Sequence, residues 1–150
     1  MIAFDTNILV YAQQDGKSEP RHGRALSLIY EATLIDSCIP VQVLGEFLNV
    51  CVRKLRIAPA DVIDQIDEYA DVFECPQTER EDLARAAHLA DLHNLQFFDA
   101  LIVTVSSRAG ATILLSEDMH DGLEIDGLRI VNPFVAANDA LLADYFGSAV

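Results

Sequence analysis

The chain opens on a short apolar run, Met1-Ile2-Ala3-Phe4, which an acid, Asp5, interrupts at once. A run this short and this apolar reads as a buried strand rather than a helix. The pattern returns late in the chain. Thr112-Ile113-Leu114-Leu115 follows Gly110 and runs into Ser116-Glu117-Asp118, and Leu128-Arg129-Ile130-Val131 ends at Asn132-Pro133. Weaker strand candidates are Thr33-Leu34-Ile35-Asp36 and Val72-Phe73-Glu74-Cys75. Between these runs the period changes. From Pro59 to Ala70, Val62, Ile63, Ile66 and Tyr69 share one face, and Asp61, Asp64, Asp67, Glu68 and Asp71 decorate the rest. Thr78 and Glu81 have capping-box spacing ahead of Leu83, Ala86, Ala87 and Ala90. Strands alternating with helices predict an α/β chain, with a parallel sheet covered by helices on both faces. With no internal repeat and no linker, residues 1–150 read as a single domain.

A chain of 150 residues buries roughly 68–70% of its unfolded surface and needs no staples. Cys38, Cys51 and Cys75 are odd in number and lack zinc or redox spacing, so they are expected as reduced, mostly buried thiols. No targeting segment and no stretch of membrane-spanning length is visible, which makes the cytoplasm the expected location and excludes a membrane partner. The 24 acids against 10 bases give a net charge of −14. That argues against strong non-specific binding of nucleic acid. It does not argue against metal-assisted cleavage.

Four acidic positions carry the chemistry. Asp5 directly follows a strand, where open α/β sheets place their ligand sites, and Thr6 and Asn7 can cap the next helix. Glu46 shares a helical stripe with Gln42, Asn49 and Arg53, opposite Leu44, Leu48, Cys51, Val52 and Leu55. Asn49 and Arg53 are thereby candidate substrate contacts, although an ordinary solvated face has the same period. Asp99, in Phe97-Phe98-Asp99-Ala100-Leu101-Ile102-Val103, opens an apolar helix that stops near Arg108-Ala109-Gly110 and could be a plain N-cap. In Leu115-Ser116-Glu117-Asp118-Met119-His120-Asp121, Asp118 is the favoured acid, with Asp121 and Glu117 as fallbacks and Ser116 able to orient them. Carboxylates gathered in one crevice repel unless a cation neutralises them, and magnesium or manganese suits an oxygen-only site. Such ions promote phosphodiester hydrolysis. His22, His88, His93 and His120 read as surface residues.

Taken in order, Asp5-Thr6-Asn7, Gln42-Val43-Leu44-Gly45-Glu46-Phe47, Phe98-Asp99-Ala100-Leu101-Ile102, Leu115-Ser116-Glu117-Asp118 and Ile130-Val131-Asn132-Pro133-Phe134 resemble the PIN-domain ribonucleases, above all the VapC-type toxins of bacterial toxin–antitoxin pairs. The resemblance implies a parallel, five-stranded sheet and an acidic quartet of Asp5, Glu46, Asp99 and Asp118. Asp5, Asp99 and Asp118 would hold Mg2+ or Mn2+, and Thr6, Asn7 and Ser116 would be supporting polar groups. It further implies an RNA substrate, a cognate antitoxin and a homodimer. Ser116 stands where threonine is common and Phe98 where tryptophan is frequent.

Three rivals differ in their demands. A haloacid-dehalogenase-like phosphatase needs a second acid two residues after the first, where this chain has Asn7. A phosphoacceptor receiver domain wants a lysine after a late strand, but the lysines are Lys17 and Lys54. A non-catalytic PIN-like adaptor would have no need of all four acids.

Overall fold

The computed structural model describes residues 1–147. The elements follow one another as β1 (Ile2–Phe4), α1 (Thr6–Gln13), α2 (His22–Ala32), β2 (Ser37–Cys38), α3 (Val41–Arg53), α4 (Pro59–Val72), α5 (Arg80–His93) and α6 (Phe97–Arg108). Then come β3 (Ile113–Leu115), β4 (Glu124–Ile125), β5 (Leu128–Val131), a 3-10 turn (Ala136–Asn138) and α7 (Asp139–Gly147). No described helix is long and apolar enough to cross a membrane.

The five strands form one sheet in the order β2-β1-β3-β5-β4. β2, β1, β3 and β5 are mutually parallel, and Phe4 pairs with Leu115 across β1 and β3. Side chains leave a strand alternately on opposite faces, yet all three residues of β1 and of β3 are buried. Both faces of the sheet are therefore covered, as a parallel sheet requires. From β1 the chain runs to β2 on one side and later to β3 on the other. That reversal leaves a crevice at the carboxyl ends of β1 and β3, the usual ligand position of open α/β sheets.

β4 is the one antiparallel strand. It joins β5 through Asp126 (φ 52°) and Gly127 (φ 81°), a two-residue hairpin whose left-handed pair matches strand twist. The expected all-parallel sheet is thus a parallel core with an antiparallel edge.

Other expectations shift by a few residues. No strand spans 33–36: Thr33 ends α2 in helical geometry, and the pairing residues are Ser37 and Cys38. Over 72–75, Val72 still belongs to α4, and only Glu74 makes a single parallel bridge, to Cys38. The capping box falls one residue later than Thr78 and Glu81, on Glu79 and Asp82. The core stripe of α3 is Val43, Leu44, Phe47 and Cys51, because Phe47 turns inward against Tyr69 and leaves Leu48 and Val52 partly exposed. Cys38 and Cys51 are buried and Cys75 half-buried, all three free. Burial pushes the Cys38 thiol up to about 12 and the Cys51 thiol up to about 11, so neither supplies a ready thiolate.

α5 and α6 are tied together by one buried acid. Arg108 donates to both carboxylate oxygens of Asp82 at 2.9 Å and to the Gln77 carbonyl at 2.6 Å. The guanidinium holds the Asp82 carboxyl below its ordinary range, helped by the Glu79 amide. Arg108→Ala is expected to cost about 1–2 kcal/mol at neutral pH, since water reaches the arginine and screens the pair. A carboxyl held low contributes above its ordinary range and loses that contribution as it protonates. The difference in Tm between Arg108→Ala and wild type should therefore close as pH falls below about 4; a gap constant with pH would contradict this.

Candidate active site

The crevice is built from the ends of β1 and β3 outward. The Asp5 amide donates to the Leu115 carbonyl at 2.9 Å, which continues the strand pairing by one residue. Asp5 then caps α1, accepting from the Thr6 amide at 2.7 Å, while Ser116 donates its hydroxyl to the other carboxylate oxygen at 2.7 Å. The Ser116 hydroxyl in turn accepts from the Met119 amide, which shapes the loop after β3. Asp5 is only 6% exposed. Burial raises its carboxyl to about 6, against the lowering effect of Ser116 and Thr6, and the nearby Asp99 and Glu46 raise it further.

Glu46 reaches the same crevice from α3. It accepts from the Thr6 hydroxyl at 2.9 Å and from the Gln42 amide, one helical turn earlier, at 2.8 Å. The Gln42 amide also donates to the Phe98 carbonyl at 3.2 Å, so α3 is strapped to the first turn of α6. Asp99 lies in that turn. The helix begins at Phe97 with Gln96 as N-cap, so Asp99 is not the capping residue. Its carboxyl has no hydrogen-bond donor among the described residues; burial, Glu46 and Asp118 all raise it. Asp118 accepts from the Asn7 side chain. Ser116 thus bonds to Asp5, Asn7 to Asp118, and Thr6 to two acids, Asp5 through its amide and Glu46 through its hydroxyl.

The two fallback acids are engaged elsewhere. Glu117 accepts from Arg21 at 2.8 and 2.9 Å and from the Tyr11 hydroxyl. Arg21 also pairs with Glu19 at 2.7 Å and lies 4.0 Å over the Tyr11 ring. Asp121 accepts from the Asn132 amide and the Asn138 side chain, closing a loop. Among the three late acids, Asp118 is the one whose charge raises the Asp99 carboxyl. Asn49 and Arg53 are exposed, and they line a groove between α3 and α4 rather than bonding to the acids. His88 and His120 are exposed, whereas His22 is half-buried against the Tyr11 carbonyl.

Periodicity alone puts Gln42 on the Glu46 stripe without a role. Its spacing, one turn before Glu46, is the available signal for the bond it makes. Tyr11 and Arg21 leave none, because their contacts to Glu117 span 106 and 96 residues.

Among the described residues no three acid, histidine or cysteine side chains converge into a ready cage for a metal. The donor set nevertheless suits a hydrated hard cation. All its atoms are oxygens, the carboxylates repel one another, and magnesium needs only one or two direct carboxylates. Asp5, Asp99 and Asp118 are the residues that would hold it.

Because the Asp5 carboxyl stands at about 6 when folded and at 3.8 ordinarily, the folded chain binds this proton more tightly than the unfolded one. Stability is therefore lost as pH rises from about 4 to about 6. Asp5→Asn removes a desolvated charge and is expected to be more stable than wild type by about 1–2 kcal/mol at pH 7. The difference should vanish near pH 4 in thermal melts; a variant less stable than wild type at pH 7 would refute the assignment of burial as the cause.

Comparison with known proteins agrees with this architecture. The family model of the PIN domain matches residues 2–120. A toxin–antitoxin complex from Klebsiella pneumoniae superposes with a TM-score of 0.64 at 20% identity, covering 89% of this chain and 98% of that one. VapC20 of Mycobacterium tuberculosis, described as a Sarcin-Ricin loop cleaving toxin, gives 0.65 at 19% identity, over 79% and 90%. VapBC2 of Rickettsia felis, bound to a DNA fragment from the promoter, gives 0.59 at 21%, over 87% and 97%. No curated protein sequence matches. With the model spanning both strand ends that build the crevice and reaching past Asp118, the chain belongs to the PIN-domain family.

Proposed function

We propose that this protein is an endoribonuclease that hydrolyses RNA phosphodiester bonds with Mg2+ or Mn2+ at Asp5, Glu46, Asp99 and Asp118, acting as the toxin of a toxin–antitoxin pair. The observation that carries the reading is the buried Asp5 carboxyl, raised to about 6 beside Asp99 and Glu46 at the mouth of the crevice. Burial does most of this and the neighbouring acids add to it, and carboxyls perturbed in this way in a crevice cluster at functional sites. The toxin reading draws on the solved relatives, one of which is described as cleaving the Sarcin-Ricin loop.

When bound, the cation supplies positive charge that polarises the scissile phosphodiester and eases deprotonation of the attacking water. The protein's own groups hold the geometry. Ser116 and the Thr6 amide fix both oxygens of Asp5. Thr6 and Gln42 hold Glu46, and Asn7 holds Asp118. Asp99, with no protein donor among the described residues, is free to turn toward the cation. Asn7 stands where a phosphatase of the haloacid-dehalogenase type needs its second acid, and it is occupied in donating to Asp118.

An RNA substrate points to the cytoplasm. The inferred partner is an antitoxin with a basic segment, since an acidic pocket in a chain of net charge −14 attracts arginine more readily than bare RNA. A homodimer, also inferred, would set two shallow sites side by side along one strand of RNA.

Cleavage of single-stranded RNA should require Mg2+ or Mn2+ and stop in chelator. Asp5→Asn and Asp99→Asn should each lower kcat/KM by about 100-fold or more, the scale of a lost charge-stabilising group. Turnover that persists in chelator, or in Asp5→Asn, would sink the nuclease reading.

A further inference from the structure

The bases of this acidic chain are not evenly spread. Arg53, Lys54 and Arg56 supply three of its ten lysines and arginines within four positions. All three are exposed, and none is in an ion pair among the described residues. By contrast Arg21, Arg24, Arg80, Arg85 and Arg108 each pair with an acid. Two of the free cations have a structural use, since Arg53 and Lys54 end α3, where positive charge favours the helix dipole. At Arg56 the backbone turn serves the helix end, where the Ile57 amide donates to the Cys51 carbonyl at 3.1 Å, but the arginine side chain has no such use. Arg56 lies beyond the helix with φ 59°, a left-handed conformation in which glycine or asparagine is usual. A bulky residue kept in that strained position is a pointer to use.

The first residue of the cluster is in line with Glu46. Arg53 follows Glu46 by seven residues, two helical turns on the same face, or about 10 Å along α3. Beside that line a groove of about 330 Å³ opens between α3 and α4, lined by Gly45, Leu48, Asn49, Val52, Arg53 and Pro59. Nothing lies within 4 Å of where a side chain at Gly45 would start, so the groove is open at the end nearest Glu46.

Resting on the nuclease reading, we propose that Arg53, Lys54 and Arg56 form a phosphate-binding subsite for the RNA strand flanking the cleaved bond, with the groove taking its bases and riboses. The charge is complementary to a polyanion, and its course along α3 joins the acids to the one exposed, unpaired basic cluster among the described residues. A strongly acidic enzyme thereby gains a local track for a substrate that its overall field repels. A second copy of the chain, offering the acidic face of α4, is the competing occupant.

The test uses the full chain. Binding of a labelled single-stranded RNA oligonucleotide is followed by anisotropy across a salt series, in chelator and on an Asp5→Asn background. The combined variant Arg53→Gln, Lys54→Gln, Arg56→Gly should bind at least tenfold more weakly at low salt. Its log K against log salt should be shallower by about 2, since each neutralised phosphate of a single strand contributes about 0.7 to the slope. Arg56→Gly alone should relieve the left-handed strain, leaving Tm unchanged or higher while affinity falls. In turnover with Mg2+, the combined variant should lose kcat/KM on a long oligonucleotide and keep it on a dinucleotide. An unchanged salt slope, or an equal loss on the dinucleotide, overturns the subsite while cleavage by wild type leaves the nuclease standing. Self-association lost in the variant by light scattering, with RNA affinity unchanged, assigns the cluster to an interface between copies and equally overturns it. Wild-type chain that neither binds nor cleaves RNA removes both readings.

Discussion

The parallel pairing of β1 with β3 is the constraint on which the rest of the site depends. Its register, Phe4 opposite Leu115, puts the next residue of each strand, Asp5 and Ser116, side by side. Because both strands are buried on both faces, a one-residue slip would swap each side chain between two packed faces and draw Asp5 or Ser116 between the apolar layers. The Ser116–Asp5 hydrogen bond is thus set by core packing rather than by any preference of the two polar groups for each other. The same pairing lines up the loops beyond the strands, one carrying Thr6 and Asn7 and the other Asp118.

Around that fixed point, the carboxylates are assembled against their own repulsion. Three of the four have protein donors, Ser116 and the Thr6 amide on Asp5, the Thr6 hydroxyl and Gln42 on Glu46, and Asn7 on Asp118, while Asp99 has none among the described residues. The first two residues of α1, Thr6 and Asn7, reach all three of these acids, so this helix acts as the frame of the site as well as part of the core. Hydrogen bonds favour the charged forms, while burial and neighbouring acids disfavour them, and at Asp5 burial wins. Stability given up at the crevice is recovered in the apolar core and in ties such as Arg108–Asp82, remote from it.

The three acids after β3 show how tertiary contacts sort residues that look alike in sequence. Glu117 pairs with Arg21 and accepts from the Tyr11 hydroxyl, which fastens α1 and the start of α2 to the loop after β3. Asp121 closes its own loop through Asn132 and Asn138. Asp118 alone of the three is left to the crevice, held by Asn7. One loop therefore has a residue for anchoring, a residue turned to the crevice and a residue for its own shape.

Much of this is legible in the chain. Apolar runs ending in acids mark β1 and β3 and the loops beyond them, and the period of α4 and α6 is plain, because burial on both faces or on one leaves a pattern that local sequence cannot hide. Two-residue strands leave almost no such pattern. β2 begins four residues beyond the start of the run that suggests it, and the hairpin carrying β4 shows only in Asp126-Gly127, a turn signal. The face of α3 is ambiguous in sequence because Phe47 and Leu48 are equally apolar, and only packing against Tyr69 decides which turns inward. By itself the sequence determined the fold class and the main strand–helix alternation, and it marked four acids as candidates, since those depend on composition and period. Only the tertiary structure decided which donors hold Asp5, Glu46 and Asp118, and that Glu117 is spent on Arg21. Those facts arise from contacts across as many as 111 residues, and no local period records them.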